Sequence, residues 1–214
     1  MELNPLTALS PIDGRYARQT DALRDIFSEC AFMNARVRVE VEWLISLSEA
    51  GFAELPHLSD HGKAFLRGLA DNFSLADCEA IKEIEKTTNH DVKAVEYWIK
   101  NQVAHDEELK SASEFVHFSC TSEDINNTSH AIMLKRGREA LADYLQQIHD
   151  TIAGFAHQWA EIPMLSRTHG QTASPTTVGK EFANVAVRLE RVIEAIRAVK
   201  IYAKMNGAVG NYNA

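Results

Sequence analysis

Hydrophobic residues recur at helical spacing along most of this chain. Few stretches alternate apolar and polar positions with the period of two that marks a strand. Helix breakers are scarce as well, since no proline lies between Pro56 and Pro163 and no glycine lies between Gly68 and Gly137. The pattern therefore predicts an all-α protein built from long helices.

The first half of the chain predicts a series of shorter helices. One runs from about Asp21 to Ala50, and a second lies near Asp60 to Asp71. Ser74 followed by Asp77 is typical of a capping box, which predicts the start of a third helix. Asp91 is expected to cap a fourth, whose apolar face carries Val92, Val95, Ile99 and Val103.

The second half predicts two helices long enough to form a bundle. Their apolar residues alternate spacings of four and three, which is the 3.5-residue repeat of a left-handed helical bundle. The two sets are Leu141, Leu145, Ile148, Ile152, Phe155, Trp159 and Ile162, and Val178, Phe182, Val185, Leu189, Val192, Ile196 and Val199. We expect the first helix to extend from Thr121 to Pro163, about 60 Å at 1.5 Å per residue. Ser174 and Pro175 predict the start of the second, as a cap and a proline in the first helical position.

These elements suggest two parts with a boundary near Ser111. Residues 1–111 are predicted to form an N-terminal helical domain, and residues 112–214 the first part of a central bundle domain of long helices. No internal repeat or low-complexity segment interrupts either part.

Composition and charge narrow the classes of function. The chain is 45% hydrophobic and 24% charged, which is ordinary for a folded soluble protein. Its net charge of −8 predicts neither a nucleic-acid partner nor an anionic membrane surface, and no run approaches the about 20 apolar residues of a membrane span. No CxxC or HExxH pattern predicts a metal site. The odd number of cysteines (Cys30, Cys78 and Cys120) predicts reduced, buried thiols in a cytoplasmic protein.

The predicted start of the first long helix is a candidate anion site. Thr121 and Ser122 place two hydroxyls beside unpaired backbone N–H groups at the positive end of a helix dipole. Such an end can bind a carboxylate or a phosphate. By local pattern alone, a plain helix cap is favoured, with Thr121 as the N-cap and Asp124 completing a capping box.

Three further segments carry candidate chemistry. Asn89, His90 and Asp91 offer donors, an acceptor and a titratable ring at a helix junction, although by local pattern alone a capped loop with a surface histidine is favoured. Arg15 and Tyr16 could pair with a phosphate, or could simply follow a turn. His169 lies in a connector that holds more polar side chains than a turn requires. A histidine is well suited to move a proton near neutral pH.

The order of these segments resembles the adenylosuccinate lyase family, in particular its longer bacterial form, across essentially the whole chain. The segments that carry the resemblance are DGRY, TTNHDVKAVEY, FVHFSCTSEDINN, SRTHGQTASPTTVGKEFANV and NGAVGN. The glycine-rich NGAVGN is read from its local pattern as a turn that ends a helix. The resemblance places the chain in the fumarase/aspartase superfamily, whose members are α-helical homotetramers around a bundle of long helices.

The resemblance implies an elimination that releases fumarate from adenylosuccinate, giving AMP, and from succinylaminoimidazole carboxamide ribotide. It implies no metal and no cofactor. His169 matches the general acid of the family, and Thr121 and Ser122 match its carboxylate-binding hydroxyls. Arg15 and Tyr16 match the segment that binds the nucleotide phosphate. Asn89, His90 and Asp91 match a second substrate-binding segment, and His117 is a further candidate.

One feature of the family is missing. Its proton-abstracting serine lies on a loop with a GSSxMPxKxNP-type signature, and the 214 residues contain no such run. Because the family builds each active site from three subunits, this chain is expected to be a fragment that carries the acid but not the base, and to be inactive alone. Two alternatives stay open at this point. They are another enzyme of the superfamily, such as argininosuccinate lyase or fumarase, and a non-catalytic helical scaffold.

Overall fold

The computed structural model describes residues 4–212, which form eight α-helices, two short 3-10 helices and one two-stranded sheet. The α-helices are α1 (Arg24–Phe27), α2 (Glu29–Glu49), α3 (Asp60–Asp71), α4 (Leu75–Thr88), α5 (Asp91–Val103), α6 (Glu107–Ala112), α7 (Ser122–Gln158) and α8 (Val178–Ala198). The strands are β1 (Pro163–Thr168) and β2 (Gln171–Thr177), and the 3-10 helices are Asp21–Leu23 and Ser113–Phe115. The predicted all-α class is confirmed, with the small sheet as its one addition within the described residues.

The chain divides into two compact units, and the division falls inside helix α7. One unit extends to Leu134 and resumes at Tyr202, whereas the other comprises Lys135–Ile201. The domain boundary predicted near Ser111 stays a prediction.

The first unit has its core around helix α2. Twelve of the 21 residues of this helix are buried, which leaves it little solvent-facing surface. The predicted apolar face of α5 is confirmed, because Val92, Val95, Ile99 and Val103 are all at most 1% exposed. Burial of such side chains stabilises a fold by about 1.5–3 kcal/mol each. Helix α2 also buries two charged residues, Arg36 and Glu40, within this apolar setting.

Helix starts follow the sequence in some places and depart from it in others. Helix α3 has the predicted bounds, and the capping box of Ser74 and Asp77 is present. The single helix predicted from Asp21 to Ala50 is wrong, because Ser28 adopts an extended conformation and accepts a hydrogen bond from the N–H of Ala31. A serine in that geometry ends one helix and caps the next. His90, not Asp91, caps α5, since its ring accepts from the N–H of Lys93.

The second unit consists of the later part of α7, the β1–β2 hairpin and α8. Helix α7 has 37 residues and ends at Gln158, before the predicted end at Pro163. The helix start predicted at Ser174 and Pro175 is wrong as well. These residues lie in β2, and Thr177 caps α8 by accepting from the N–H of Lys180. The segment pairs with β1 as an antiparallel strand, and no local sequence pattern predicts this pairing.

The two helices of this unit meet most closely near the hairpin. A Cβ on Gly179 would lie 2.3 Å from the backbone oxygen of Ala156, so only glycine fits there. Phe155, Trp159 and Phe182 pack as an aromatic cluster with ring centroids 4.8–5.6 Å apart. Other residues of the predicted bundle repeat are about half exposed, namely Leu141, Ile148, Val185 and Val192. The buried residues of α8 are Gly179, Ala186 and Ile193, which lie outside the predicted repeat, so much of the predicted apolar stripe is not covered by this chain.

The cysteines contradict the expectation of three reduced thiols. Cys30 and Cys78 form a disulfide, with their Cα atoms 5.7 Å apart. They lie in the first turns of α2 and α4, whose packing brings together residues 48 positions apart in sequence. Cys120 is free and buried as predicted, and burial, with a smaller effect of Glu40 and Asp124, raises the pKa of its thiol to about 12.

Membrane insertion finds no support among the described helices. Within residues 4–212, none of them combines the length and the apolar character needed to cross a bilayer. The same residues contain no group of three or more histidine, cysteine, aspartate or glutamate side chains arranged to hold a metal ion.

Candidate active site

The N-terminal ends of α5 and α7 meet in the first unit. The Nε2 atom of His90 lies 3.4 Å from the hydroxyl oxygen of Ser122. The Nδ1 atom of the same ring accepts the N–H of Lys93 at 3.2 Å, so Nε2 carries the ring proton in the neutral form and donates to Ser122. Two predicted substrate-binding segments, 32 residues apart in sequence, therefore come within hydrogen-bonding distance.

A buried arginine hydrogen-bonds to residues near the N-terminal ends of both α5 and α7. Arg36 of α2 donates to the carboxylate of Asp91 at 2.5 Å and to the side-chain oxygen of Asn126 at 2.9 Å. Its guanidinium also stacks over the ring of Phe32, 3.9 Å from the centroid. Burial alone raises the pKa of Asp91, but the charge and hydrogen bond of Arg36 outweigh it, so the net pKa is lowered. The carboxylate of Asp91 is thus committed to Arg36 in this structure.

Asn89 has a clear conformational role. It ends α4 in the left-handed region, with φ 50° and ψ 31°, and its N–H donates to the carbonyl of Glu85 at 2.8 Å. Asparagine is among the few residues that tolerate this conformation. Its side chain is exposed beside His90, so the predicted substrate contact of Asn89 stays a prediction.

At the start of α7, Thr121 and Asp124 are hydrogen-bonded to each other, as the predicted capping box suggested. Asp124 accepts both the N–H and the hydroxyl of Thr121 at 2.9 Å through one carboxylate oxygen. Its other oxygen accepts the backbone N–H groups of Asn206 and Gly207 at 2.9 and 3.0 Å. Burial by itself raises the pKa of Asp124, and these hydrogen bonds outweigh it, so the net pKa is lowered. The Thr121 hydroxyl is occupied by Asp124, whereas that of Ser122 faces His90.

The segment Lys204–Gly207 completes this region, and its role was missed. The sequence suggested a turn that ends a helix, but the last helix ends at Ala198. The backbone of Lys204 instead exchanges two hydrogen bonds with the Asn127 side chain, at 2.8 and 3.0 Å. The side-chain oxygen of Asn206 is buried without a hydrogen-bond partner among the described residues. We call the region formed by residues 88–91, 121–127 and 204–207 with Arg36 the helix-start cluster.

No sequence signal existed for Arg36 or for Lys204–Gly207. Arg36, Arg38, Glu40 and Glu42 alternate with valines along α2, so the sequence does not say which of these charged residues is buried. The partners of Asp124 lie 82 and 83 residues away in sequence, and no local pattern predicts them.

His169 lies at the turn of the hairpin in the second unit. His169 and Gly170 link β1 to β2 with positive φ values of 50° and 76°, as in a two-residue type I′ turn. The imidazole is exposed, and within residues 4–212 it makes no hydrogen bond or ion pair. A free, solvent-facing ring is available to a ligand, but nothing in this unit orients it.

Arg15 and Tyr16 lie on an exposed loop of the first unit. The guanidinium of Arg15 is 5.4 Å from the ring centroid of Tyr16. Gly14 before them is buried against the carbonyl of Pro5, which shapes the turn. A cleft of about 450 Å³ lies beside this loop, lined in part by Asp13 and Arg24. Neither Arg15 nor Tyr16 makes a described contact with the helix-start cluster.

The fold and these segments correspond to a known class of enzyme. The sequence profile of a family described as Lyase matches residues 14–214. The chain therefore belongs to this lyase family. Among solved structures, a fumarate lyase from Mesorhizobium sp. BNC1 superimposes with a TM-score of 0.70 at 19% identity, over 90% of this chain and 43% of that one. A β-carboxy-cis,cis-muconate cycloisomerase from Acinetobacter calcoaceticus sp. ADP1 gives 0.67 at 21% identity, over 90% of this chain and 44% of that one. Both show the fold alone.

Curated relatives with higher sequence identity carry the name of one particular enzyme. An adenylosuccinate lyase from Vibrio cholerae serotype O1 is 55% identical, over all of this chain and 47% of its own length. The adenylosuccinate lyase of Escherichia coli (strain K12) is 53% identical over the same shares. The resemblance inferred from the motifs is confirmed. This chain spans about half the length of the curated relatives it matches.

Proposed function

We propose that this chain contributes to an adenylosuccinate lyase, which eliminates fumarate from adenylosuccinate to give AMP, and from succinylaminoimidazole carboxamide ribotide. The observation that carries the proposal is the pairing of His90 with Ser122 where two helix N-termini meet. Such a place suits an anionic substrate, because unpaired N–H groups and two helix dipoles add positive potential. The names of the relatives at 53–55% identity supply the substrate class.

The reaction needs positive charge, an acid and a base. Removing a proton beside a carboxylate gives a dianionic species, which N–H donors at a helix start can stabilise. In our proposal Ser122 and Thr121 bind a carboxylate of the succinyl group, for which the hydroxyl of Thr121 has to turn away from Asp124. Asn89, His90 and Asp91 form a second substrate-binding segment, with His90 near the phosphate.

Two further groups complete the proposed roles. Arg15 and Tyr16 bind the nucleotide phosphate from their exposed loop. His169 protonates the leaving nitrogen, a role that its exposed ring permits, and the base is supplied from outside this chain. No metal or cofactor and no nucleic-acid or membrane partner enters the proposal.

We further propose that the enzyme is a homotetramer whose active sites combine residues from several subunits. Support comes from the half-exposed apolar stripe of α7 and α8, which is of the kind that subunit contacts bury. We place the enzyme in the cytoplasm. The disulfide between Cys30 and Cys78 is the one observation among the described residues against this compartment, since the reducing cytosol keeps most thiols free.

The test is an absorbance assay on the complete protein with each ribotide, beside argininosuccinate as the competing substrate. We expect turnover of both ribotides and none of argininosuccinate. The 214-residue chain alone should show no turnover, because it lacks the signature of the serine loop. Turnover of argininosuccinate in place of the ribotides, or full activity of the isolated chain, would contradict the proposal.

A further inference from the structure

A fully buried carboxylate lies next to the segment that leads into α7. Glu40 of α2 is 1% exposed, and one of its oxygens lies 2.5 Å from Nδ1 of His117. Its other oxygen has no hydrogen-bond partner among the described residues. A buried charge with an unsatisfied oxygen costs stability, so a packing role alone does not explain why a carboxylate occupies this position.

His117 is held in an unusual backbone conformation. Its φ of 64° lies in the left-handed region, as does the 60° of Ser119 two residues later. Non-glycine residues stay in this region where the surrounding contacts impose it. One such contact is the indole N–H of Trp43, also on α2, which donates to the carbonyl of Phe118 at 2.8 Å. Helix α2 therefore holds both the side chain and the backbone of this segment, four residues before Thr121.

The electrostatics favour a proton held between the two groups. Burial raises the pKa of Glu40, and the bond to His117 offsets this only in part. Burial lowers the pKa of His117, but the hydrogen bond and charge of Glu40 outweigh it, so the net pKa is raised. The other charged groups acting on His117 are Glu96 and Lys93 of α5, which pair with each other at 2.5 Å. The ring protonated on both nitrogens thus persists to higher pH than in a free imidazole.

We propose that Glu40 is a positioning residue for the lyase site, acting through His117. By accepting the N–H of Nδ1, Glu40 fixes the orientation of the ring and leaves the Nε2–H of the protonated imidazole to donate to an anionic oxygen of the substrate. The side chain of His117 remains 15% exposed, whereas that of Glu40 is fully buried. This inference rests on the proposed function, because only a substrate makes use of the free nitrogen.

The experiment uses Glu40→Gln and Glu40→Leu in the complete protein, with Glu42→Gln as the matched control. Glu42 lies on the same helix, but it pairs with Arg67. We expect Glu40→Gln to lower kcat/KM by about 10- to 100-fold, as when an outer residue that orients a histidine is lost. Glu42→Gln should leave kcat/KM unchanged. Glu40→Leu should lose both activity and melting temperature, since removal of one partner of a buried pair leaves the charge of His117 uncompensated, and Glu40→Gln therefore serves for the kinetic comparison.

Two readouts separate positioning from a structural effect. In the background of His117→Gln, the change Glu40→Gln should cause no further loss, because Glu40 acts only through that ring. The ring of His117, followed by nitrogen NMR, should titrate at lower pH in Glu40→Gln, with Glu96 and Lys93 unchanged. Full activity of Glu40→Gln, additive losses in the double variant, or an unshifted titration would each overturn the proposal. Absence of turnover by the unmodified protein would refute the proposed function instead. The titration of the His117 ring would still test whether Glu40 acts on that ring.

Discussion

The helix-start cluster and the hairpin turn both carry predicted site residues, but these residues differ in burial and in hydrogen bonding. In the cluster, Asp91 and Asp124 are each bound by two or more groups, and Arg36 is 5% exposed. At the turn, the ring of His169 is exposed and makes no hydrogen bond within the described residues. The side chains of the cluster are held by other groups of this chain, whereas the imidazole at the turn has no hydrogen-bond partner within the described residues.

This difference suggests a division of labour. Groups that recognise a substrate gain from preorganisation, because their orientation is settled before binding. A proton donor that belongs to a site shared between subunits has to extend away from its own unit. The comparison can be tested by variants that should affect one region and not the other.

The largest expected effect is on catalysis at the hairpin turn. His169→Ala in the complete protein should lower kcat by about 10²- to 10⁴-fold, the usual contribution of a general acid. The melting temperature should not change, since the ring contacts nothing that its loss would disturb. Steady-state kinetics and thermal denaturation measure the two quantities.

The control for this variant is His105→Ala, which removes another exposed imidazole outside both regions. It should leave kcat and melting temperature unaltered. If His169→Ala abolished binding of AMP as well as turnover, His169 would be a structural residue and the contrast would fail.

The next effect is on stability in the cluster. Asp124→Ala leaves the N–H groups of Thr121, Asn206 and Gly207 without their acceptor. A buried unsatisfied group costs about 1–3 kcal/mol, and since only the Gly207 contact is fully buried, the free energy of unfolding should fall by about 2–4 kcal/mol. Urea denaturation measures this loss. Asp143→Ala, an exposed aspartate in the second unit, should change it by no more than about 0.5 kcal/mol.

The cluster should also respond to acid. The pKa values of Asp91 and Asp124 are lowered in the folded protein, so each contributes stability that is present above the unfolded pKa of about 3.9. That contribution is lost as pH falls through the lowered pKa. Amide exchange at Asn206 and Gly207 should therefore accelerate, relative to intrinsic rates, below about pH 4. The hairpin contains no carboxylate between Pro163 and Thr177 and should show no matching change.

The smallest effect concerns two glycines. Gly170→Ala places a side chain at φ 76°, where nothing lies within 4 Å of the new Cβ, so the cost is conformational and about 1–2 kcal/mol. Gly154→Ala in α7 also meets nothing within 4 Å, and should stabilise by about 0.5–1 kcal/mol because alanine favours the helix. Thermal denaturation checks both: the melting temperature should fall in Gly170→Ala and rise in Gly154→Ala. A stabilising Gly170→Ala would show that the turn is not held in the left-handed region.

Sequence patterns predicted the elements better than they predicted the site. The bounds of α3, the capping box at Ser74 and the buried face of α5 depend on residues at most four positions apart, so local spacing reveals them. The family resemblance supplied His169, Thr121 and Ser122 as candidates, but not their contacts. The hairpin was missed because Ser174 and Pro175 have a good local pattern for a helix start, and only pairing with β1 decides otherwise.

The sequence by itself determined the all-α class, the buried face of α5 and the family, since these depend on short-range periodicity and motif order. Tertiary structure alone decided which distant groups meet. His90 reaches Ser122 across 32 residues, Cys30 reaches Cys78 across 48, and Asp124 binds Gly207 across 83. Such pairings arise because helix packing brings side chains together in space, and burial then requires each polar group to find a partner. No local pattern records which partner that will be.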